Sequence, residues 1–449
     1  MTQIKTKIIA TIGPSTSKYS DLKSLHAAGM NVARINMSHA SHSDAINIIN
    51  SIKKINQQQS KVYGPAGILL DTQGPEIRTG INQSDIDLNI GDIVNLTIRD
   101  DVDVETSSIK INYKGLIKSV EKGSKISIDN GLLNFKVLAK DNENLKCRVL
   151  DGGTLGSKRH VNLPGVRVDL PSITKKDRKD INLAIKHNVS FIALSFVRSA
   201  KDVLDLRAIL KKKKSSAQII AKIENQEGLD NIHAITQAAD IVMVARGDLG
   251  IETDLADLPN IQRRIMYATA KWGRRSIVAT HLLESMINNP TPTRAEVTDV
   301  ANAIYEGADA VMLSGETSVG KFPIQCIKML KKIALKTEYF RTLGYERFLN
   351  ESSDWQNIAL GARDLASRIN ADGIIIITRS GQTANVVSNT KPFRMPVHAF
   401  TNNNNTYNHL SLVGGIKPYF LKSISNKSLT IKKIKSILSS STKSKKSLK

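Results

Sequence analysis

From Lys7 to Thr72, and again from about residue 170 to 335, short apolar β-rich runs alternate with segments whose apolar residues recur at helical spacing. The runs are Lys7 to Gly13, Val32 to Ser38, Ile68 to Thr72, Phe191 to Phe196, Gln218 to Glu224, Ile241 to Arg246, Ser276 to Thr280 and Ala310 to Leu313. Segments such as Ser20 to Ala28, Lys201 to Lys212 and Pro259 to Trp272 read as the intervening helices. Eight such units predict an α/β fold, a closed parallel (β/α)8 barrel. Between the third run and Pro171 the pattern shortens to Ile90 to Ile98, Lys125 to Ile128, Asn134 to Val137 and Cys147 to Leu150, punctuated by Gly, Asn and Asp. This predicts an all-β lid domain inserted on one barrel loop. Beyond Lys336, a helix-rich stretch and the runs Gly373 to Thr378 and Val397 to Thr401 predict a C-terminal α/β domain.

The expected divisions are 1–72 with 170–336 for the barrel, 73–169 for the lid, and 337–435 for a C-terminal domain that is atypical or truncated. After Phe420 the chain turns Ser/Lys-rich, and 436–449 reads as a basic, disordered tail. A chain of 449 residues suits two or three domains with a sizeable core. No run of 18 apolar residues occurs, so no membrane span is expected. Two distant cysteines, Cys147 and Cys326, cannot frame a disulfide scaffold or a paired-cysteine metal site. With an apolar run starting at Lys7, no leader peptide is expected, and the reading is cytoplasmic.

The formal charge of +23 raises nucleic acid as a partner. Its distribution argues otherwise. Ten lysines and no acid follow residue 416, and Lys211 to Lys214 sits where cations suit a helix C-terminus. Aromatics are only 4%, too few for base-stacking platforms, so no specific nucleic acid is expected.

Polar residues at barrel strand ends carry the candidate chemistry, since alternate residues of a strand face inward and the C-terminal ends carry function. Lys222 and Glu224 share a face of the fifth strand. They offer a cation for a developing anion and a hard oxygen for a metal, with a plain buried ion pair as the alternative. Asp248 follows the sixth strand, one unit on, and two such carboxylates can hold one Mg²⁺. Arg34, Asn36 and Ser38 alternate along the second strand before His39, giving a fork for phosphate and neutral oxygens suited to a monovalent cation. Asp71 and Thr72 end the third strand, and Thr280 ends the seventh with a hydroxyl able to relay a proton. Gly315, Gly320 and Lys321 mimic a P-loop, but Phe322 stands where Ser or Thr is needed, so the motif is rejected. His26, His187, His233, His398 and His409 lack ligand spacing, and both cysteines read as small buried hydrophobes.

The segments TKIIATIGPST, GMNVARINMSH, LLDTQGPEIRTG, GSKRHVNLPG, FIALSFVRSAKDV, IIAKIENQEGLDNI, MVARGDLGIE and NPTPTRAEVTDVANAIYEGADAVMLSGETSVGKFP closely resemble pyruvate kinase, in the family's order, over residues 4 to 335. The resemblance implies phosphoryl transfer from phosphoenolpyruvate to ADP, giving pyruvate and ATP. It implies a barrel with a β-rich lid and a C-terminal α/β domain. It also implies Lys222 as the catalytic lysine, Arg34 as the phosphate-binding arginine, and Thr280 as the group that protonates the enolate through water. Glu224 and Asp248 match the Mg²⁺ (or Mn²⁺) carboxylates, with Gly247 and Asp248 bordering the substrate. Asn36, Ser38, Asp71 and Thr72 match the K⁺ ligands; His39, Arg78 and Arg159, with Asn36, match nucleotide contacts. A homotetramer is the assembly implied, with the altered C-terminal domain counting against it.

Several positions depart from the family pattern. Gln73 stands where many members carry lysine, Arg159 replaces a lysine, and His281 replaces the glutamine beside the proton-relay position, where it is expected to shift the pH profile. Glu76 is the residue type that goes with potassium activation in the family. Thr378, Ser380, Gly381 and Thr383 resemble a loop that cradles a sugar-phosphate effector, but the family's closing strands are not recognisable after Phe420. Weak or absent activation by a sugar bisphosphate is the expectation. A pyruvate-handling lyase on a related barrel would need neither the lid nor Arg78, and a degenerate, non-catalytic chain would not keep Lys222, Glu224, Asp248, Arg34 and Thr280.

Overall fold

The computed structural model describes residues 4–82, 84–99, 108–350, 353–424 and 426–441. Strands Lys7–Thr11, Val32–Asn36, Gly67–Asp71, Phe191–Leu194, Gln218–Ile223, Ile241–Ala245, Arg275–Ala279 and Ala310–Leu313 close into a parallel barrel in chain order. The period of two sorts their side chains. Ile9, Val32, Leu69, Phe191, Ala193, Ile220, Ile241, Met243, Ile277, Ala310 and Met312 fill the interior, while their neighbours Ala33, Ile68, Ile192 and Ile219 pack outward against the helices. Several of those helices start at capping boxes, as at Ser41 with Asp44, Thr174 with Asp177 and Thr293 with Glu296, which satisfies orphan amides at the helix start.

The inserted segment forms a six-stranded mixed sheet and a two-stranded ribbon around its own core, which includes Leu96, Ile126, Phe135, Cys147 and Val149. The alternating burial of strand Asn144–Asp151 follows from one face packing inward and one meeting water. In the C-terminal domain, Ile374–Ile377, Val397–Thr401 and Ile416–Phe420 make a three-stranded parallel sheet, with Ile374–Ile377 at an edge. That domain closes the floor of the barrel. Leu412 is buried among the interior residues of the barrel strands, and a Cβ at Gly67 would run into the Ser411 hydroxyl and, at 2.9 Å, the Phe191 ring. The buried Lys7 ammonium donates to the Ile416 carbonyl at 2.6 Å across the same junction.

One expectation is corrected. The disordered tail placed at 436–449 begins instead as part of a helix, Lys427–Ser441; residues 442–449 lie outside the described residues. The Ser/Lys-rich composition hides a helical stripe: Thr430, Ile434 and Leu438, four apart, are buried, the latter two against Phe400 and Leu421.

Candidate active site

Several interior stripes of apolar side chains end in polar residues at the C-terminal mouth of the barrel. On the second strand the inward row Val32, Arg34, Asn36 runs beside Leu69 and Asp71 of the third, with Asn36 directly opposite Asp71. Arg34 is held from both sides. Its Nε and a terminal nitrogen contact Asp71 Oδ2 at 2.8 and 2.7 Å, and the other terminal nitrogen donates to Thr11 Oγ1 at 2.9 Å. On the fifth strand the row Ile220, Lys222, Glu224 carries the ammonium to the centre of the mouth. Lys222 Nζ lies 2.8 Å from Glu224 Oε1, 3.4 Å from Asp71 Oδ1 and 2.8 Å from Ser195 Oγ.

Electrostatics follow from this burial. Desolvation pulls Lys222 towards its neutral form, but Asp71 and Glu224 outweigh it and hold the lysine protonated well above its ordinary range. Burial likewise pushes against ionised Asp71, yet Lys222 and Arg34 keep its carboxyl below the usual range. Glu224 goes the other way. Burial raises it, Lys222 lowers it and neighbouring Asp248 raises it, leaving it up at about 7. Burial also lifts Asp248, which shares a hydrogen bond with Glu224. Two buried carboxylates that face each other and resist ionisation together are a donor set suited to a divalent cation.

Glu224 Oε2 accepts the Phe196 amide at 2.6 Å. Phe196 adopts φ 53°, an uncommon backbone for a bulky residue, at the end of the fourth strand. The loop after the third strand comes in close here: Gly74 has φ 77°, and a Cβ there would meet both the Phe196 ring and Ser195 Cβ at 2.9 Å. Its amide donates to Asp177, the N-terminal capping partner of helix Lys175–Lys186. On the sixth strand's exit, the Gly247 amide donates to Thr280 Oγ1 at 2.8 Å, and Thr280 Oγ1 donates to Ala279 O at 2.7 Å. Arg246 holds the Ala279 and Thr280 carbonyls, fixing Thr280 at φ 65°.

A cavity of about 420 Å³ gathers these groups beneath the lid. Arg34, Asn36, Ser38, His39, Thr72, Arg78, Arg159, Lys222, Glu224 and Asp248 line it; Asp71 stands behind, bonded to Arg34 and Lys222. Gly247 and Thr280 contact one another beside Asp248 rather than lining the cavity, and His281 is exposed. Arg78 Nε donates to Glu76 Oε2 at 2.7 Å, and Gln73 donates to the same oxygen at 2.8 Å. Arg159 lies 3.6 Å from Asp129, in the lid turn Asp129–Asn130 that also reaches the cavity.

Ser195, Phe196, Asp129, Asn130, Ser157, Lys158 and His160 also line the cavity and were not singled out from sequence. Parity could have found Ser195, because it continues the inward row Phe191, Ala193. The lid residues carry no such signal, since only the tertiary fold brings them over the mouth. Thr378, Ser380, Gly381 and Thr383 sit in the C-terminal domain at the start of helix Gln382–Asn389, outside this cavity. The Gly381 amide donates to Thr378 Oγ1 at 3.0 Å. Among the described residues, no strand follows Phe420; the helix Lys427–Ser441 comes next.

A closed barrel under a β-rich lid, with an ammonium, a guanidinium and paired carboxylates at its C-terminal mouth, defines a barrel enzyme with a charged site built for anionic groups. The family model "Pyruvate kinase, barrel domain" matches residues 3–327, and "Pyruvate kinase, alpha/beta domain" matches 356–447. Pyruvate kinases from Staphylococcus aureus strains MRSA252 and USA300 are each 41% identical over 425 residues, covering 93% of this chain and 72% of theirs. The crystal structure of a pyruvate kinase from Cryptosporidium parvum superposes with a TM-score of 0.93 at 36% identity, covering 98% of this chain and 91% of that one. The chain belongs to the pyruvate kinase family, and its function is that family's, phosphoryl transfer. No helix among the described residues is long and apolar enough to cross a membrane.

Proposed function

We propose that the cavity at the barrel mouth is where the phosphoryl group of phosphoenolpyruvate passes to ADP, giving pyruvate and ATP. The observation that carries this reading is the convergence of Arg34, Lys222, Glu224 and Asp248 on one cavity. Phosphoryl transfer asks chiefly for positioning and for positive charge spread around the group in flight. Arg34, aimed by Asp71 and Thr11, binds the phosphoryl oxygens, and Lys222 faces both the transferring group and the enolate oxygen it leaves. Because Lys222 stays protonated, its charge is in place before the reaction begins.

Glu224 and Asp248 would hold Mg²⁺ (or Mn²⁺), which supplies positive charge to the phosphate and enolate oxygens when bound. Asn36, Ser38, Asp71 and Thr72, one carboxylate among neutral oxygens, fit K⁺. His39, Arg78 and Arg159, with Asn36, take the nucleotide phosphates. Gly247 and Asp248 border the substrate, and the Thr280 hydroxyl, bonded to Gly247, directs a water that protonates the enolate carbon. Boundaries at 1–72 with 170–336, 73–169 and 337 onward describe the barrel, lid and C-terminal domain, and the setting is the cytoplasm, at the last step of glycolysis. A helix, Lys427–Ser441, and not a further strand follows Ile416–Phe420 among the described residues, which supports weak or absent sugar-bisphosphate activation at the loop holding Thr378, Ser380, Gly381 and Thr383.

For assembly, helix Asp354–Arg368 exposes Trp355, Ile358, Ala362 and Leu365, and Ile369 just beyond it, at alternating spacings of three and four. This is the seam of a helix that pairs with another. Gly361 at its middle meets nothing within 4 Å, and Asp354 and Arg368 lie at opposite ends on the flank of the seam. A second copy laid antiparallel about a twofold sets Asp354 against Arg368 of its partner and lets the helices cross closely at Gly361. We therefore infer a homo-oligomer, a tetramer if the barrels also pair. Pyruvate formation by the purified chain with phosphoenolpyruvate, ADP and Mg²⁺ tests the reaction itself; no turnover under any cation condition would sink it.

A further inference from the structure

Ser195 continues the inward row of the fourth strand and is buried, 1% exposed. Its hydroxyl has one proton and a clear acceptor for it, the Thr72 carbonyl at 2.7 Å; Asp71 Oδ1 is farther, at 3.5 Å. With the proton committed there, the lone pairs face Lys222 Nζ at 2.8 Å. The next residue, Phe196, gives its amide to Glu224. The end of the fourth strand thus holds both functional side chains of the fifth, one contact each.

Lys222 has three partners, and two are carboxylates with other work. Asp71 is bound to Arg34 by two contacts. Glu224 is the residue whose charge goes to the divalent cation in the reading above. A carboxylate drawn close also neutralises the charge that the reaction uses, whereas a hydroxyl fixes the direction of an ammonium and leaves its charge intact. We propose that Ser195 is a positioning residue for Lys222. It keeps the ammonium aimed across the barrel mouth once Glu224 is committed to metal, so that the charge lies along the path of the phosphoryl group. This rests on the assignment of Lys222 as the reactive cation.

The test compares Ser195→Ala, Ser195→Cys and Lys222→Met in the full chain with Mg²⁺ and K⁺. A displaced transition-state charge costs roughly 10- to 100-fold in rate, so Ser195→Ala is expected to lower kcat by that factor. KM for phosphoenolpyruvate should stay within about threefold, because the charge itself remains in the site. A second readout is independent of turnover. Oxalate, a planar dianion shaped like the enolate of pyruvate, should bind Ser195→Ala with Mg²⁺ about tenfold or more weakly by calorimetry, tracking the loss in kcat. Ser195→Cys, with a weaker acceptor of similar shape, should fall between, and it decides by the same readouts if the alanine variant does not fold. A kcat within twofold of the parent with unchanged oxalate affinity overturns the proposal. So does a parallel loss of kcat, substrate affinity and melting temperature, the mark of a merely structural serine. Retained activity in Lys222→Met would instead remove the underlying assignment, whatever Ser195 does.

Discussion

The charged ends of Lys222 and Glu224 meet at 2.8 Å although the two residues lie on the same strand, because the β period of two sends both to the barrel mouth. Neither is a spare ion pair, since Asp71 and Asp248 crowd the same few ångströms. Lys222→Met removes the cation and keeps the length of the side chain. Turnover should fall by roughly a hundredfold or more, the scale of one lost transition-state electrostatic contact. Steady-state kinetics with saturating Mg²⁺ measure it, and a loss under tenfold would reassign the lysine to structure.

Cation dependence is the second expectation. Glu76 is taken up by Gln73 and Arg78, and no lysine stands at that point to supply a fixed charge beside Asp71 and Thr72. Incoming phosphates add negative charge to the same mouth. Activity should drop about tenfold or more when K⁺ and Na⁺ are replaced by a bulky tetraalkylammonium. Equal turnover in both buffers would refute the monovalent site.

The paired carboxylates predict a pH signature of metal binding. In the folded chain Glu224 rises from 4.5 to about 7, through burial first and the neighbouring Asp248 charge next, and burial also raises Asp248. A raised carboxylate stabilises the fold fully below its unfolded pKa and loses that contribution as pH climbs through the folded value. The metal-free protein therefore carries Glu224 as a reluctant anion above pH 7, and Mg²⁺ must displace its proton below that. The rise in melting temperature caused by Mg²⁺ should be larger at pH 8 than at pH 6, with affinity weakening up to about tenfold per pH unit for each proton displaced. Comparing each pH with and without Mg²⁺ cancels other groups, such as His398 and His409, whose burial lowers both to about 4. A shift independent of pH would count against the pair as metal ligands.

Leu412 joins the C-terminal domain to the barrel floor. Leu412→Ala leaves a void in the cluster of barrel-interior side chains and should cost about 2–5 kcal/mol. Urea unfolding measures this, and an unchanged midpoint would show that the contact contributes nothing.

The exposed seam on helix Asp354–Arg368 gives a test of assembly. Leu365→Glu puts a carboxylate in the proposed twofold contact and should shift sedimentation to a smaller species while the monomer stays folded. In parent and variant alike, added sugar bisphosphate should leave the phosphoenolpyruvate saturation curve in place. An unchanged assembly, or a strong leftward shift of the curve, would contradict the corresponding reading.

Legibility in the sequence followed locality. Pattern alone located the eight barrel strands within two residues, but it missed the ends of the lid strands Ile93–Thr97, Leu133–Lys140 and Asn144–Asp151 by three and did not show the short lid strands or Ile416–Phe420 of the third domain. Arg34, Lys222, Glu224 and Asp248 were legible because a strand's parity and its C-terminal end are local properties. The helix Lys427–Ser441 was not, because serine and lysine outnumber its buried Thr430, Ile434 and Leu438.

What the sequence by itself determined is therefore the barrel, its face and the chemistry each strand end presents. Only the tertiary structure decided which groups meet. Ser195 against Lys222 spans 27 residues and Arg246 against Thr280 spans 34; Leu412 comes from another domain to seal the floor beneath Ile9. Such contacts depend on strand order and on closure of the barrel, which are set by burying all the interior side chains at once. No short window of sequence contains that sum.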